Sequence, residues 1–194
     1  MFNVVIFGAP GSGKGTQSER IIDHYGLFHI STGDVLRDHI ARNTELGVIA
    51  NKYISQGQLI PDELMIRVLE HHLDNHTKES EKGVIFDGFP RTIAQAKALT
   101  ELLEKRGTQV DAVVGLEVNE DELVTRILKR GQETGRSDDN LETVKKRLAV
   151  YHNQTCPLRQ FYIDEKKYHA IDGNGTVDSI FEKIKNNLDK IKHN

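Results

Sequence analysis

The feature that most constrains this chain is its glycine-rich stretch at residues 8–16, Gly-Ala-Pro-Gly-Ser-Gly-Lys-Gly-Thr. An apolar run at residues 2–7 precedes the stretch, and a helical pattern from Gln17 to Tyr25 follows it. A strand, a glycine loop and a helix in this order are the context expected of a phosphate-binding loop. The glycines let backbone N–H groups approach an anion, and the helix N-terminus adds partial positive charge. We therefore expect polyphosphate binding here, with Lys14 reaching the outer phosphates.

The spacing of this stretch narrows the class of protein. Gly8-x4-Gly13-Lys14 fits the Walker A pattern, but Gly15 stands where the general motif has Ser or Thr, and Thr16 comes one residue later. This departure matches the narrower pattern G-x-P-G-x-G-K-G-T, which is found in nucleoside monophosphate kinases. The alternative is a chance glycine-rich turn, and the agreement of strand, loop, lysine and helix counts against it.

Length and composition set the outer limits. A chain of 194 residues is expected to form one large domain. A domain of this size buries roughly 70% of the surface that its unfolded chain exposes, so it needs no disulfide or metal to be stable. Cys156 is the single cysteine, which excludes an internal disulfide and favours a reducing compartment. The net charge of −3 gives no general attraction to nucleic acid. No signal peptide and no membrane helix of roughly 20 apolar residues is predicted. We expect a cytoplasmic monomer.

Short apolar runs alternate with helical patterns, which predicts an α/β fold with a parallel sheet. Strands are predicted at residues 2–7, 28–30, 84–86, 112–118 and 168–171. Helices are predicted at residues 17–25, 32–42, 45–56, 62–73, 93–106, 119–131, 140–151, 157–165 and from 177 onwards. Residues 31–60 form a small helical insertion in this pattern, and residues 192–194 are expected to fray.

Two polar segments outside the glycine loop are candidate parts of a site. Asp87 follows the strand at 84–86, where it can lie beside the phosphate loop and hold Mg²⁺ or its waters, and Arg91 would project into the same crevice. The alternative is a plain strand–turn–helix with Thr92 as the helix cap. The second segment, residues 131–139, has no apolar residue and is predicted to be a mobile loop after a helix that ends at Gly131. The arginines around it form a possible anion clamp, the alternative being an ordinary solvated loop.

Three histidines are close enough in sequence to suggest a metal site. His71, His72 and His76 lie near the end of one predicted helix, and residues four apart share a helix face. The chain has no H-E-x-x-H pattern there, so we interpret the histidines as surface residues of a polar helix.

Taken together, these motifs resemble the adenylate kinase family, nearly from end to end. The resemblance implies a P-loop α/β fold with a five-stranded parallel sheet and helices on both faces. It also implies a nucleoside monophosphate-binding insertion at 31–60 and a short lid at 129–139. The implied reaction is reversible, Mg²⁺-dependent transfer of the terminal phosphoryl group of ATP to AMP, giving two ADP. The expected partners are therefore ATP, AMP and ADP, with no nucleic acid and no membrane.

The resemblance also implies roles for individual residues. ATP would be bound by Gly11, Ser12, Gly13, Lys14, Gly15, Thr16, Arg126, Arg130 and Gly175. AMP would be bound by Thr32, Arg37, Gln58, Leu59, Ile60, Gly88, Phe89, Pro90, Arg91, Gln95, Arg136 and Arg147. The catalytic residues would be Lys14, Arg91, Arg130, Arg136 and Arg147. ATP would carry Mg²⁺, with Asp87 and Thr16 near the ion and no metal site made by protein alone.

This sequence differs from some members of the family at positions that bear on zinc binding and on the choice of the nucleotide base. Many bacterial relatives have a longer lid, some with a four-cysteine zinc site, and the single cysteine here excludes that zinc site. Thr32 and Gln95 stand where pyrimidine-specific relatives usually carry Ala and Asn, and a Gln amide both donates and accepts, which suits adenine. A UMP/CMP-type kinase and a non-catalytic nucleotide switch remain as alternatives. A guanine-reading N-K-x-D motif is incomplete, because Asn51-Lys52-Tyr53-Ile54 ends in Ile.

Overall fold

In the computed structural model, which describes residues 1–192, the five apolar runs pair into one parallel sheet. The strands are β1 (Val4–Gly8), β2 (Phe28–Ser31), β3 (Val84–Asp87), β4 (Ala112–Glu117) and β5 (Tyr168–Asp172). Their order is β2-β3-β1-β4-β5, and every neighbouring pair is parallel. The glycine loop therefore follows the central strand, and Asp87 ends the strand beside it. The predicted five-stranded parallel sheet is confirmed.

Helices connect the strands and follow the last of them. They are α1 (Lys14–Tyr25), α2 (Thr32–Ala41), α3 (Glu45–Ile54), α4 (Asp62–Asn75), α5 (Ile93–Glu104), α6 (Glu120–Thr134), α7 (Leu141–Val150), α8 (Pro157–Asp164) and α9 (Val177–Lys192). A π-helical turn, Tyr151–Thr155, joins α7 to α8. The fraying expected at residues 193 and 194 lies outside the described residues, whereas residue 192 is the last of α9.

Two helix boundaries differ from the sequence prediction by three residues, and the others agree within two. Helix α1 begins at Lys14 rather than Gln17, directly after Gly13, which is its N-cap. Helix α6 does not end at Gly131 but continues to Thr134, and Gly135 is the residue that takes the left-handed C-cap conformation, with φ 66°. The predicted helix end at Gly131 was therefore wrong, and the first part of the segment predicted as a loop is helical.

Both faces of the sheet are buried, which explains why the strands read as continuous apolar runs. In β1, Val5 and Phe7 belong to one core cluster, together with residues of α4, α5 and α8. Val4 and Ile6 face the other way, into a second cluster with residues of α1 and α9. The helices thus cover both faces, as predicted.

The helical segment at residues 31–60 is anchored to the first of these clusters. Leu36 of α2, Ala50 of α3 and Ile60 are all buried in it. Ser31 caps α2, because its side chain accepts a hydrogen bond from the backbone N–H of Asp34. The segment therefore sits over the end of the sheet where β2 and β3 finish.

The histidines of α4 pack against a strand residue. The rings of His72 and His76 lie with their centroids 5.8 and 5.0 Å from that of Phe28 in β2. Within residues 1–192, no group of three or more His, Cys, Asp or Glu side chains is placed to hold a metal ion. No helix in the same range has the length and apolar character needed to cross a membrane.

Candidate functional site

The glycine loop joins β1 to α1 and is packed closely against α6. Gly11 has φ 81°, and a Cβ there would lie 2.7 Å from a side-chain carbon of Ile127 and 2.8 Å from the backbone oxygen of Leu123. Only glycine fits both this backbone conformation and this contact. The loop is therefore held in a fixed shape by the α6 helix that also carries Arg126 and Arg130.

Lys14 folds back over this loop. Its Nζ donates hydrogen bonds to the backbone oxygens of Gly8 and Ala9, at 2.8 and 3.0 Å. Burial lowers the pKa of Lys14 to about 8, Asp87 partly opposes the shift, and nearby arginines, Arg91 first, add to it. The ammonium thus lies near backbone carbonyls, one carboxylate and several arginines, and a bound polyphosphate would stabilise these positive charges.

Oxygen atoms suited to a hydrated Mg²⁺ lie around the same loop. The carboxylate of Asp87 ends β3, with one oxygen 3.8 Å from Nε2 of His29. Thr16 is exposed in the first turn of α1, and Oγ of Ser12 is buried with no hydrogen-bond partner in the described structure. Carboxylate and hydroxyl oxygens are the ligands that Mg²⁺ or its waters prefer, so these residues fit an ion brought in by a nucleotide.

The segment after β3 brings three predicted residues together. Oγ1 of Thr32 donates to the backbone oxygen of Gly88 at 3.0 Å, and Nε of Arg91 donates to the same oxygen at 2.7 Å. The backbone N–H of Arg91 in turn donates to Oε1 of Gln95 at 2.8 Å. Desolvation in the cleft, with a contribution from Arg147, lowers the pKa of Arg91 to about 10. The Arg91 side chain is thus tethered at one nitrogen, in a cleft that also contains Arg37, Arg147 and two aspartates.

The arginines of α6 and α7 meet on a single aspartate. Nε and Nη2 of Arg130 donate to the two oxygens of Asp139, at 2.7 and 2.8 Å. Nη1 of Arg147 lies 2.8 Å from Oδ1 of Asp139 and 3.0 Å from Oδ2 of Asp138. Burial acts to raise the pKa of Asp139, but the hydrogen bonds and charges of Arg130 and Arg147 outweigh it and hold the pKa below its usual value. The predicted clustering of Arg130 and Arg147 is therefore present, with acidic partners that the sequence analysis did not identify.

Arg136 reaches from residues 129–139 towards the helical segment 31–60. Its Nη2 lies 3.7 Å from Oδ1 of Asp34, and the same Asp34 oxygen lies 2.5 Å from Nη2 of Arg37. Desolvation lowers the pKa of Arg136, and the neighbouring charge of Arg37 lowers it further. Two arginines predicted to meet phosphate thus share one half-exposed carboxylate.

One cavity connects half of the predicted site residues. Eleven of the predicted site residues line it: Lys14, Thr32, Arg37, Gln58, Leu59, Ile60, Gly88, Pro90, Arg91, Gln95 and Arg147. The side chain of Phe89 does not face it but is buried in the first core cluster, so only its backbone is available to a ligand.

Two of the predicted residues that do not line this cavity, Arg126 and Gly175, lie at the turn between β5 and α9. Arg126 pairs with Glu122 at 2.8 Å, and its Nη2 lies 3.5 Å from the backbone oxygen of Gly173. Gln17 of α1 donates to the backbone oxygen of Val177 at 3.1 Å. The β5–α9 turn, which contains Gly175, therefore lies beside Arg126 and the start of α1.

Several residues that line the cavity were not identified from the sequence. They are Ile6, Phe7, Pro10, Gly33, Leu36, Ile54, Gly57, Met65, Asp138, Val150, Tyr151 and Thr155. Leu36 and Met65 were hidden because an apolar side chain at helical spacing is typical of a core residue as well as of a pocket wall. For Asp138 the available signal was its position between Arg136 and Arg147, since adjacent opposite charges suggest pairing.

Comparison with known proteins gives a consistent result. A family model described as "Adenylate kinase" matches residues 6–167. A protein of Bacteroides thetaiotaomicron named adenylate kinase is 61% identical over 98% of this chain and 100% of its own length. Proteins of the same name from Parabacteroides distasonis and Porphyromonas gingivalis are 59% and 49% identical, each over 99% of this chain and over 100% and 98% of their own lengths.

Proposed function

The chain belongs to the adenylate kinase family, and from that premise we propose how its residues divide the work of the reaction. As a member it is a phosphotransferase, and the family reaction moves the terminal phosphoryl group of ATP to AMP, giving two ADP. The resemblance inferred from the sequence is thereby confirmed. The observation that carries the assignment of roles is the convergence of Lys14, Arg91 and Arg147 on one cavity at the end of the sheet.

The phosphate loop and its neighbours are proposed to hold ATP. Gly11 to Thr16 would surround its phosphates with backbone N–H groups, and Lys14 would exchange its carbonyl partners for phosphate oxygens. Arg126 and Gly175 flank the adjoining surface, where the base and ribose of ATP would lie. Mg²⁺, carried in with ATP, would offset charge on the transferring group when bound, and Asp87 and Thr16 would hold its waters.

AMP is proposed to occupy the cavity between α2, the segment Gln58–Ile60 and the start of α5. Thr32, Gln58, Leu59, Ile60 and Gln95 would contact its base, and Arg37 and Arg91 its phosphate. The backbone from Gly88 to Pro90 would form the floor of this pocket. The support for this placement is that these residues line one continuous space that opens towards Lys14.

For this reaction the protein needs mainly to align the two substrates and to stabilise negative charge on the transferring phosphoryl group. The acceptor is a phosphate oxygen of AMP, already a nucleophilic anion near neutral pH, so no general base is needed. Lys14, Arg91, Arg130, Arg136 and Arg147 would stabilise charge on the transferring phosphoryl group and hold donor and acceptor in line. We propose that residues 31–60 and the lid at 129–139 close over both substrates and exclude water, which competes as an acceptor. A cytoplasmic monomer is the proposed working form.

The deciding experiment is ADP formation from Mg·ATP with AMP, CMP, UMP or GMP as acceptor, beside a reaction without acceptor. Turnover with AMP, and little with the others, is the expected result. Turnover chiefly with CMP or UMP would keep the mechanism and overturn the base-pocket assignment. Hydrolysis indifferent to every acceptor would contradict the phosphotransfer assignment and favour the nucleotide switch.

A further inference from the structure

Asp62 connects the start of two helices beside the cavity. It is the first residue of α4, two positions after the pocket-lining segment Gln58–Ile60, and its carboxylate reaches across to the start of α5. Oδ2 accepts a hydrogen bond from Oγ1 of Thr92 at 3.0 Å, and Oδ1 accepts one from Nε2 of Gln95 at 2.8 Å. Thr92 is the N-cap of α5, and its Oγ1 also accepts from the backbone N–H of Gln95 at 3.2 Å. Each hydrogen bond in this group therefore has a defined donor and acceptor.

These contacts determine which way the amide of Gln95 points. An ionised carboxylate only accepts hydrogen bonds, so the nitrogen of Gln95 must face Asp62. The backbone N–H of Arg91 only donates, and it meets Oε1 of Gln95 at 2.8 Å. If the amide of Gln95 were rotated, its oxygen would face the carboxylate of Asp62 and its NH2 group would face the backbone N–H of Arg91. Both hydrogen bonds would be lost, and each loss costs free energy. Gln95 is only 2% exposed, so water does not readily replace either partner.

We propose that Asp62 is a positioning residue that fixes the Gln95 amide in one orientation and thereby makes the acceptor pocket select adenine. The proposal rests on the proposed function, in which Gln95 contacts the base of AMP. The fixed amide keeps one N–H and one lone pair uncommitted. Adenine offers the complementary pair, an acceptor at N1 and a donor at N6. Hypoxanthine offers the reverse pair, a donor at N1 and an acceptor at O6, and would require the rotated amide.

The test compares AMP with inosine monophosphate (IMP), because the two nucleotides differ only at this edge of the base. We would measure kcat/KM for each acceptor with Mg·ATP, and equilibrium binding of each without ATP, in the wild type and in Asp62→Ala. Replacing Asp62 by alanine also opens a space that water can enter, and water donates to and accepts from the Gln95 amide equally well. The preference for AMP over IMP should fall by about tenfold, the size expected when one directional hydrogen bond is lost.

Two further variants separate orientation from structure. Asp62→Asn keeps an oxygen that accepts from Gln95, so it should retain most of the preference. Glu63→Ala is the control, because it removes a charge from the next residue in the same helical turn. The Glu63 side chain has no contact with Gln95 in the described structure, so the preference for AMP over IMP should stay within about twofold of wild type. If kcat/KM for AMP and for IMP falls by the same factor in Asp62→Ala, so that their ratio is unchanged, the proposal is overturned. A wild type that uses no AMP at all would instead refute the function on which it rests.

Discussion

The carboxylate of Asp139 accepts two hydrogen bonds from Arg130, at 2.7 and 2.8 Å, and also meets Nη1 of Arg147 at 2.8 Å. The Asp139 side chain has no exposed surface, whereas those of Arg130 and Arg147 are 34% and 19% exposed. One buried carboxylate thus ties α6 to α7 and holds two cations proposed to meet phosphate. Its removal should affect both stability and catalysis.

Asp139→Asn should lower the free energy of unfolding by about 3 kcal/mol at neutral pH, because it leaves two arginines close together without their shared counter-ion. Urea denaturation measures the change. The matched control is Glu133→Gln, which removes an exposed partner of Lys129 in α6 and should cost under about 0.5 kcal/mol. Similar losses in the two variants would show that the Asp139 contacts carry no special weight.

The contacts of Asp139 with Arg130 and Arg147 also predict how the free energy of unfolding depends on pH. The pKa of Asp139 lies below its usual value of 3.8 in the folded protein. A depressed pKa stabilises the folded state fully above the unfolded value, and this contribution is lost as pH falls through the folded value. The difference in unfolding free energy between wild type and Asp139→Asn should therefore be constant well above pH 3.8 and shrink below it. A difference that grew on acidification would contradict this assignment.

Gly131 should be needed for these contacts although it lies inside α6. A Cβ at Gly131 would come within 2.8 Å of the backbone oxygen of Asp139 and 2.9 Å of its Cβ. Alanine is favoured over glycine in a helix by about 1 kcal/mol, so propensity alone predicts that Gly131→Ala stabilises the protein. We expect the opposite, a lower melting temperature together with a lower kcat, because the loop carrying Asp139 must move away. Gln132→Ala, at the next and exposed position, is the control and should change neither.

The segment around Asp139 also shows where sequence reasoning stops. Residues 131–139 contain no apolar residue, and this composition predicts a mobile loop. Asp138 and Asp139 are nevertheless buried, because arginines pair with their carboxylates, and as whole residues, backbone included, they are 6% and 4% exposed. Pairing between aspartates of a loop and arginines on two helices leaves no periodic pattern in the sequence, so hydrophobic periodicity could not reveal it.

Other parts of the molecule could be predicted because their signals are local. The strands appear as short apolar runs, and Gly13 with Lys14 marks the glycine loop, although α1 begins three residues before its predicted start. The position of Asp87 and Arg91 beside this loop follows from the rule that parallel strands end at the same edge. The role inferred for Asp62 could not be predicted, because it depends on hydrogen bonds to residues 30 and 33 positions away.

Arg91→Lys should lower kcat on the order of 10³-fold, the scale by which an arginine at a transferring phosphoryl group contributes. Nε of Arg91 is engaged by the backbone oxygen of Gly88, while the rest of the guanidinium remains available to the cleft. A lysine has a single nitrogen and cannot do both. Steady-state kcat at saturating ATP and AMP is the measurement. Arg159→Lys, which changes an exposed arginine of α8 paired with Glu117 at 2.8 Å, should stay close to wild type. Near-normal kcat in Arg91→Lys would remove Arg91 from the catalytic set.

Loss of the positive charge on Lys14 should lower kcat/KM for ATP at alkaline pH. Burial lowers its pKa to about 8, so its positive charge is lost as pH rises through that value. Because kcat/KM reports on the free enzyme, kcat/KM for ATP should fall above about pH 8 with a limiting slope of one decade per pH unit. Bound phosphate favours the charged form and raises the pKa, so kcat should fall only at higher pH. Lys14→Arg stays charged throughout, so its lower kcat/KM should show no break near pH 8. A wild-type profile that stays level to about pH 10 would show that the ammonium of Lys14 is not the group that meets ATP in the free enzyme.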